Sequence, residues 1–368
     1  MFVAWRELRF ARGRFLLIAA VVALITLLVG FLSGLTGGLA SQNISAVLQL
    51  PGDRLILQQP DAGEPSFATS TISEESVSAW RSADGVRSVV PVGIAQSRAS
   101  SGDVGDPSGV ALFGLSGAKD ASGEGSAPAN PLLALAPSDD AEVGLSAGAA
   151  KVLGAGVGDT VTITGTEYTV TAVGADLWYS HTPVIAMTPQ AWAGASERVG
   201  GSGDATVLAV TGEADWEAVS AASGTTAETP LRSLTALETF RSEIGSLGLM
   251  IAMLFGISAL VVGAFFTVWT MQRAGDIAVL KALGATTGSL VRDALGQALV
   301  VLAAGIGVGV LAVVGLGSLA ATALPFALSP LTTLAPAAVM AVLGLAGAAF
   351  ALRSVTSADP LTALGSHR

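Results

Sequence analysis

The stretch QRAGDIAVLKALGATTGSLVRDALG, Gln272–Gly296, lies between two long apolar runs. It carries Arg273, Asp276, Lys281, Arg292 and Asp293, yet keeps Ile277, Val279, Leu280 and Leu283. A connection between two oily segments needs only a polar turn. Here Ile277, Leu280 and Gly284 recur at helical spacing, with Leu283 at the edge of the same face. The spacing predicts an amphipathic helix whose apolar side seats against something else.

Around it, four runs are long enough to cross a bilayer, for which about 20 apolar residues are needed. They are residues 15–39, 244–271 (the end of a stalk-and-span segment, 237–271), 294–324 and 331–352, the last following the break PFALSP. The chain has 368 residues, 51% hydrophobic and 12% charged, with mean hydropathy +0.65. That is too apolar for a soluble domain and too long for a bare anchor. The third run is glycine-rich (GIGVGVLAVVGLGSLA), and small residues let membrane helices approach closely. The first run exceeds the roughly 7–15 residues of a signal-peptide core, so an uncleaved anchor is expected. Cysteine is absent and the only histidines are His181 and His367, which excludes a multi-histidine metal site within one chain.

Charge sets the expected orientation. Residues 1–14, 272–293 and 353–368 together hold nine Lys/Arg and four Asp/Glu, a net of +5; residues 40–243 hold nine and 24, a net of −15. Positive loops stay in the cytoplasm, so both termini and the 272–293 loop are expected inside and residues 40–236 outside, as a multi-pass protein of the plasma membrane. The start, MFVAWRELRFARGR, reads as an interfacial helix over residues 1–14 lying on anionic lipid, and residues 353–368 as a cytoplasmic tail. The fold class expected is an α-helical membrane protein with four transmembrane helices plus an extracytoplasmic α+β domain between helices 1 and 2.

That domain shows short strands between turn signals: DRLILQ, SVVPVGI, GVALFGL and DTVTITGTEYTVTAVGA. In the last, Thr160–Thr164 and Tyr168–Val173 flank a turn expected at Gly165–Thr166, and alternation on both sides says hairpin. Helices are expected in SEESVSAWRSAD, capped by Ser73, and in LSAGAAKVLGA; Gly- and Ser-rich residues 99–128 and 196–205 read as loops. The acidic residues are dispersed, which fits a solvated face better than calcium sites. No clustered catalytic set is present, so a membrane-bound enzyme is disfavoured. His181, in LWYSHTP, reads as a packed or surface residue rather than a ligand.

The chain resembles permease subunits of the MacB/FtsX/LolC type, the mechanotransmitting class of ABC transporters. The likeness rests on DIAVLKALGAT (276–286), on VGDTVTITGTEYTVTAVGA (157–175) preceded by LSAGAAKVLGAG, on the tail ALRSVTSADPLTALGSHR (351–368) and on the start WRELRFARGRFLL. It implies that Asp276, Ile277, Leu280, Lys281, Leu283 and Gly284 couple to a cytoplasmic ATPase, by helix-in-groove docking. No Gly-Lys-Ser/Thr P-loop occurs. ATP is therefore expected on a separate subunit, in two copies beside two permeases within the lipid bilayer. No nucleic-acid partner and no intrinsic cofactor are expected, nor is the chain expected to be an enzyme.

Before the second span the chain reads LRSLTALETFRSEIGSLGLMIAM. Glu238, Arg241 and Glu243 sit where this helix enters the outer leaflet, with Met250 deeper; ionisable groups at membrane depth are costly and usually functional. Size and architecture resemble the haem-efflux permeases of the HrtB type. Haem is an amphiphile with an iron and two carboxylates. On that reading Glu243, Glu238 or Met250 would serve the iron and Arg241 a propionate. The rival readings are a solvated stalk with an i, i+3 Glu238–Arg241 pair, export of peptides, antibiotics or lipids, and a non-transporting FtsX-like regulator of an external partner.

Overall fold

A computed structural model describes residues 12–102, 106–116, 130–272, 275, 279 and 283–356. The expected interfacial helix and tail, and the coupling residues Asp276, Ile277, Leu280 and Lys281, lie outside these. The chain divides into two units: residues 39–244, and residues 1–38 with 245–368.

In chain order the elements are α1 (Arg12–Ile44), β1 (Arg54–Gln58), α2 (Glu74–Ser82), β2 (Val86–Ser101), β3 (Ser108–Gly114), β4 (Glu142–Ser146), α3 (Ala147–Leu153), β5 (Thr160–Ile163) and β6 (Thr166–Gly174). They continue with β7 (Trp178–Tyr179), β8 (Thr182–Met187), α4 (Pro189–Arg198), β9 (Val207–Gly212), α5 (Trp216–Ser223), β10 (Thr225–Glu228), α6 (Glu238–Gln272), α7 (Thr287–Ala320) and α8 (Pro330–Thr356).

In the 39–244 unit the strand order is β10-β1-β9-β2-β3-β8-β4-β6-β5, with β5 returning to pair β2. The 16-residue β2 therefore serves twice. Its first half lies antiparallel to β9, and its second half pairs β3 and then β5. Six strands close into a ring, which removes the exposed edges an open sheet would have. Gly93 lies opposite Gly114 in the β2–β3 pair. A Cβ at either would fall within 2.3–2.8 Å of Trp192 of α4; the two glycines make the bed on which that indole packs. On the open sheet, buried Trp80 stacks on Trp216 at 5.9 Å and donates Nε1–H to Thr225 Oγ1 at 3.1 Å.

Local signals act as expected at several points. The Ser73 hydroxyl accepts the Ser76 N–H and starts α2, and Ser146 does the same for α3, which ends on left-handed Gly154. The β5–β6 hairpin is present, but its turn is Thr164–Gly165 (φ 49° and 81°), one residue earlier than expected. This is a two-residue turn with both residues left-handed, which matches the twist of the strands. Residues 99–101, expected as loop, finish β2, and 196–198 finish α4; pairing with β5 and the third turn of α4 override their small-residue composition.

The other unit holds long apolar helical stretches, part of four helices able to span a membrane. Thr286 caps α7, its hydroxyl accepting the Ser289 N–H. Residues 287–293, expected within the coupling loop, are therefore its first two turns, and α7 stops at Ala320 rather than 324. The glycines of α7 sort by face. A Cβ at Gly305 would meet Ala19 and Val22 of α1 at 2.8 Å, and one at Gly309 would meet Thr26 at 2.6 Å. Gly307 and Gly315 face open space. Phe326, in the break before α8, packs on Phe31 with ring centres 4.9 Å apart and leaves no room for a Cβ at Gly34 or Gly317.

Candidate functional site

Three side chains from distant parts of the sequence meet in the 39–244 unit. Asn43 lies one residue before the end of α1, Glu243 lies in the second turn of α6, and His181 lies in the tight turn between β7 and β8. The turn residues Ser180 and His181 have φ of 45° and 64°, a conformation that Asn and Gly adopt more readily. Two such residues cost on the order of 1 kcal/mol each or more, so something must hold them.

The holding groups are at the C-terminus of α1. The last carbonyls of a helix have no partner within it. Here Ser180 N–H donates to Asn43 O at 3.1 Å and His181 N–H to Gln42 O at 3.0 Å. Nearby, Ala46 N–H donates to Trp178 O at 3.0 Å, and Trp178 N–H to Ser45 Oγ at 2.8 Å. The hairpin turn thus caps α1 through its backbone and is thereby fixed. Tyr179 is buried beneath it, edge-on to Phe67 and Phe113. Burial raises its phenol pKa well above the ordinary value.

With its backbone fixed, the His181 imidazole reaches Glu243. His181 Nε2 stands 2.8 Å from Glu243 Oε1, and Asn43 Nδ2 donates to Oε2 at 3.1 Å. An ionised carboxylate only accepts, so Nε2 carries the proton. The 3.2 Å separation of Asn43 Nδ2 and His181 Nε2 is then two donors sharing one carboxylate, not a hydrogen bond between them. Asn43 is fully buried, whereas His181 and Glu243 side chains are 30% and 32% exposed. One partner is locked and the other borders solvent. Asn43 Oδ1 has no hydrogen-bond partner among the described residues.

The expected site residues are therefore only partly gathered. Glu243 is in the constellation. Arg241 forms an ion pair with Glu64 instead of Glu238. Both Arg241 and Glu238 line a groove of about 500 Å³ with Gly63, Glu64 and Pro65. Met250 follows Glu243 by seven residues in α6, lies in the other unit and is half exposed. His181, read from sequence as a packed or surface residue, is a partner of Glu243; its signal was only its aromatic neighbourhood. Asn43 gave none. Of the expected coupling residues, Leu283 is 80% exposed and its N–H closes a helical bond to Val279 O at 3.0 Å. Gly284 has φ +94°. Left-handed backbone ends a helix, so Gly284 is a stop rather than the helical position expected of it; Ile277 and Leu280 lie outside the described residues. Among the described residues no group of three or more His, Cys, Asp or Glu could hold a metal ion.

A family model described as the MacB-like periplasmic core domain matches residues 15–225, over half of the chain, and one described as the FtsX-like permease C-terminal matches residues 248–360. The chain belongs to the MacB/FtsX permeases. The permease is accordingly a membrane subunit of an ABC transporter, with four helices and an extracytoplasmic core domain between the first two; the ATPase is a separate chain. Two curated relatives align end to end. A Staphylococcus haemolyticus protein named as hemin transport system permease protein HrtB is 26% identical over 99% of both chains. A Staphylococcus epidermidis protein of the same name is 24% identical over 99% of both. Among solved structures, the periplasmic region of MacB from Actinobacillus actinomycetemcomitans covers 50% of this chain and 92% of its own at 13% identity, with a TM-score of 0.34. That likeness is too slight to bear on the fold.

Proposed function

We propose that this permease exports haem, by mechanotransmission, from the outer leaflet. The observation that carries the reading is the end-to-end likeness to proteins named for hemin transport, spanning 99% of both chains. The constellation at the start of α6 supports it. Ferric iron is a hard acid, and Glu243 offers a hard carboxylate with one face toward solvent. Glu238 and Met250 are the further candidate donors. Arg241 would take a propionate by exchanging it for Glu64.

The working unit is two permeases and two ATPases. Only 17% of the apolar window of α6 is buried within the chain, against 28% for α1 and α7. Gly245, Gly248 and Gly256 along it meet no neighbour, a surface suited to close approach by a second copy. The basic segments favour a cytoplasmic position for both termini and the 272–293 connection. There Asp276, Ile277, Leu280, Lys281 and Leu283 engage the ATPase, with Gly284 ending the helix behind them.

Haemin titration of the detergent-purified permease, followed in the Soret region, tests the reading. A saturable, shifted band that weakens in Glu243→Gln is expected. A band unchanged in that variant removes Glu243 from the site, and no saturable band removes haem as the substrate.

A further inference from the structure

Glu243 is engaged within its own chain, and its two oxygens are held differently. Oε2 accepts from Asn43, which is fully buried and sits in the last turn of α1. Oε1 accepts from His181, whose imidazole borders solvent. A metal that takes this carboxylate competes with both donors for its lone pairs and its charge. The Asn43 amide is fully buried, so losing the carboxylate would leave its donor away from water. An imidazole at the solvent boundary passes its N–H to water when it loses the carboxylate. The exchangeable bond is therefore His181 Nε2–H to Oε1.

We propose, on the basis of the haem reading above, that His181 is the release residue of the substrate site. Its Nε2–H competes with ferric haem iron for the Glu243 carboxylate. Loading breaks the N–H···O bond and forms the iron–carboxylate bond. Release reverses both, the imidazole retaking Oε1 and the iron's freed position passing to water. No electron or covalent bond is transferred.

The fold supplies what such a competitor needs. A side chain free to drift would lose the contest through its own entropy. His181 cannot drift. Its backbone is held in the left-handed region by bonds to the last turn of α1, at Gln42 and Asn43. The donor therefore stays within reach of Oε1 whenever the iron lets go. A strained turn retained against its conformational preference is a reason to look for function at that residue. The imidazole also lowers the apparent affinity for iron, because iron and the His181 N–H draw on the same oxygen, Oε1.

The competing role and a merely structural role differ in sign. In full-length permease in detergent, His181→Ala is expected to tighten haemin binding roughly tenfold, the worth of one charge-assisted hydrogen bond. Haem export from proteoliposomes containing the ATPase subunit is expected to slow. His181→Gln keeps an N–H donor on a longer side chain with more rotamer freedom to lose and should bind haemin a few-fold more tightly than the wild type; it decides the matter should the alanine variant not fold. Binding that is unchanged or weaker in the folded variants overturns the proposal while leaving haem as the substrate. Wild-type binding that Glu243→Gln does not alter overturns it by moving the site. Absence of any saturable wild-type band overturns it together with the haem reading.

Discussion

The glycine stripe of α7 makes a prediction whose sign can be worked out at two neighbouring positions. Replacing a helical glycine by alanine gains about 1 kcal/mol in intrinsic preference. At Gly307 nothing lies within 4 Å of the new Cβ, so that gain stands alone. At Gly309 the Cβ would fall 2.6 Å from Thr26 Cβ and 2.8 Å from Ala23 O on α1. An ordinary carbon contact needs about 3.5–4 Å, so roughly 1 Å must be found. One of the blocking atoms is a backbone carbonyl and cannot rotate away. Overpacking of this kind costs about 1–3 kcal/mol, which outweighs the preference. Gly309→Ala is therefore expected to lower stability, and Gly307→Ala to leave it level or raise it. The two melting temperatures should differ by several degrees, since 1 kcal/mol shifts chains of 150–250 residues by about 2–4 °C. Thermal denaturation of both variants in one detergent, followed by loss of the monodisperse chromatographic peak, measures this. Equal melting temperatures, or a more stable Gly309→Ala, would refute the close packing of α7 on α1.

Two further outcomes are expected. Leu283→Asp places a charge on an exposed apolar position next to the helix end; it should abolish substrate-stimulated ATPase activity in the reconstituted transporter while leaving the haemin titration unchanged, and retained stimulation would remove Leu283 from the coupling surface. Tyr179 is buried with its pKa raised, so at alkaline pH the unfolded chain loses this proton first. Its contribution to stability is complete below the ordinary phenol pKa of about 10 and falls as pH rises above it, so Tyr179→Phe should flatten the alkaline loss seen in denaturant melts.

How much of this was legible in the sequence follows from the range of the interactions. The Ser73 cap and the β5–β6 hairpin depend on neighbours in the chain and were read within a residue; the span-length apolar runs were located too, although α1, α6 and α7 begin three to seven residues before them. Gly284 was misread because periodicity counts positions and does not see backbone conformation; its φ of +94° makes it a helix stop. The start of α7 was placed late because Arg292 and Asp293 look like loop residues, whereas the deciding signal was the Thr286 cap. The constellation was half legible. Glu243 stood out as a charge at membrane depth. His181 lies 62 residues from it and Asn43 200 residues from it, and no local pattern announces a pairing that only the strand order creates. The small residues of α7 declared close packing, but which of them faced α1 required the structure.

The pairing of β1 with β10 has a consequence for how the protein is made. Leu55 lies beside Glu228, so the first and last strands of the core domain close a loop of roughly 170 residues, at an entropic cost that no shorter-range ladder can defer. Strand β9 also waits for both β1 and β2. A ribosome-bound chain therefore has its central ladder unfinished until nearly the whole domain has been synthesised, just before α6 emerges. The domain must then be delivered across the bilayer as an open polypeptide and acquire its sheet afterwards, on the far side. During that interval its alternating apolar strands are unprotected, which makes it the stage at which misassembly threatens most.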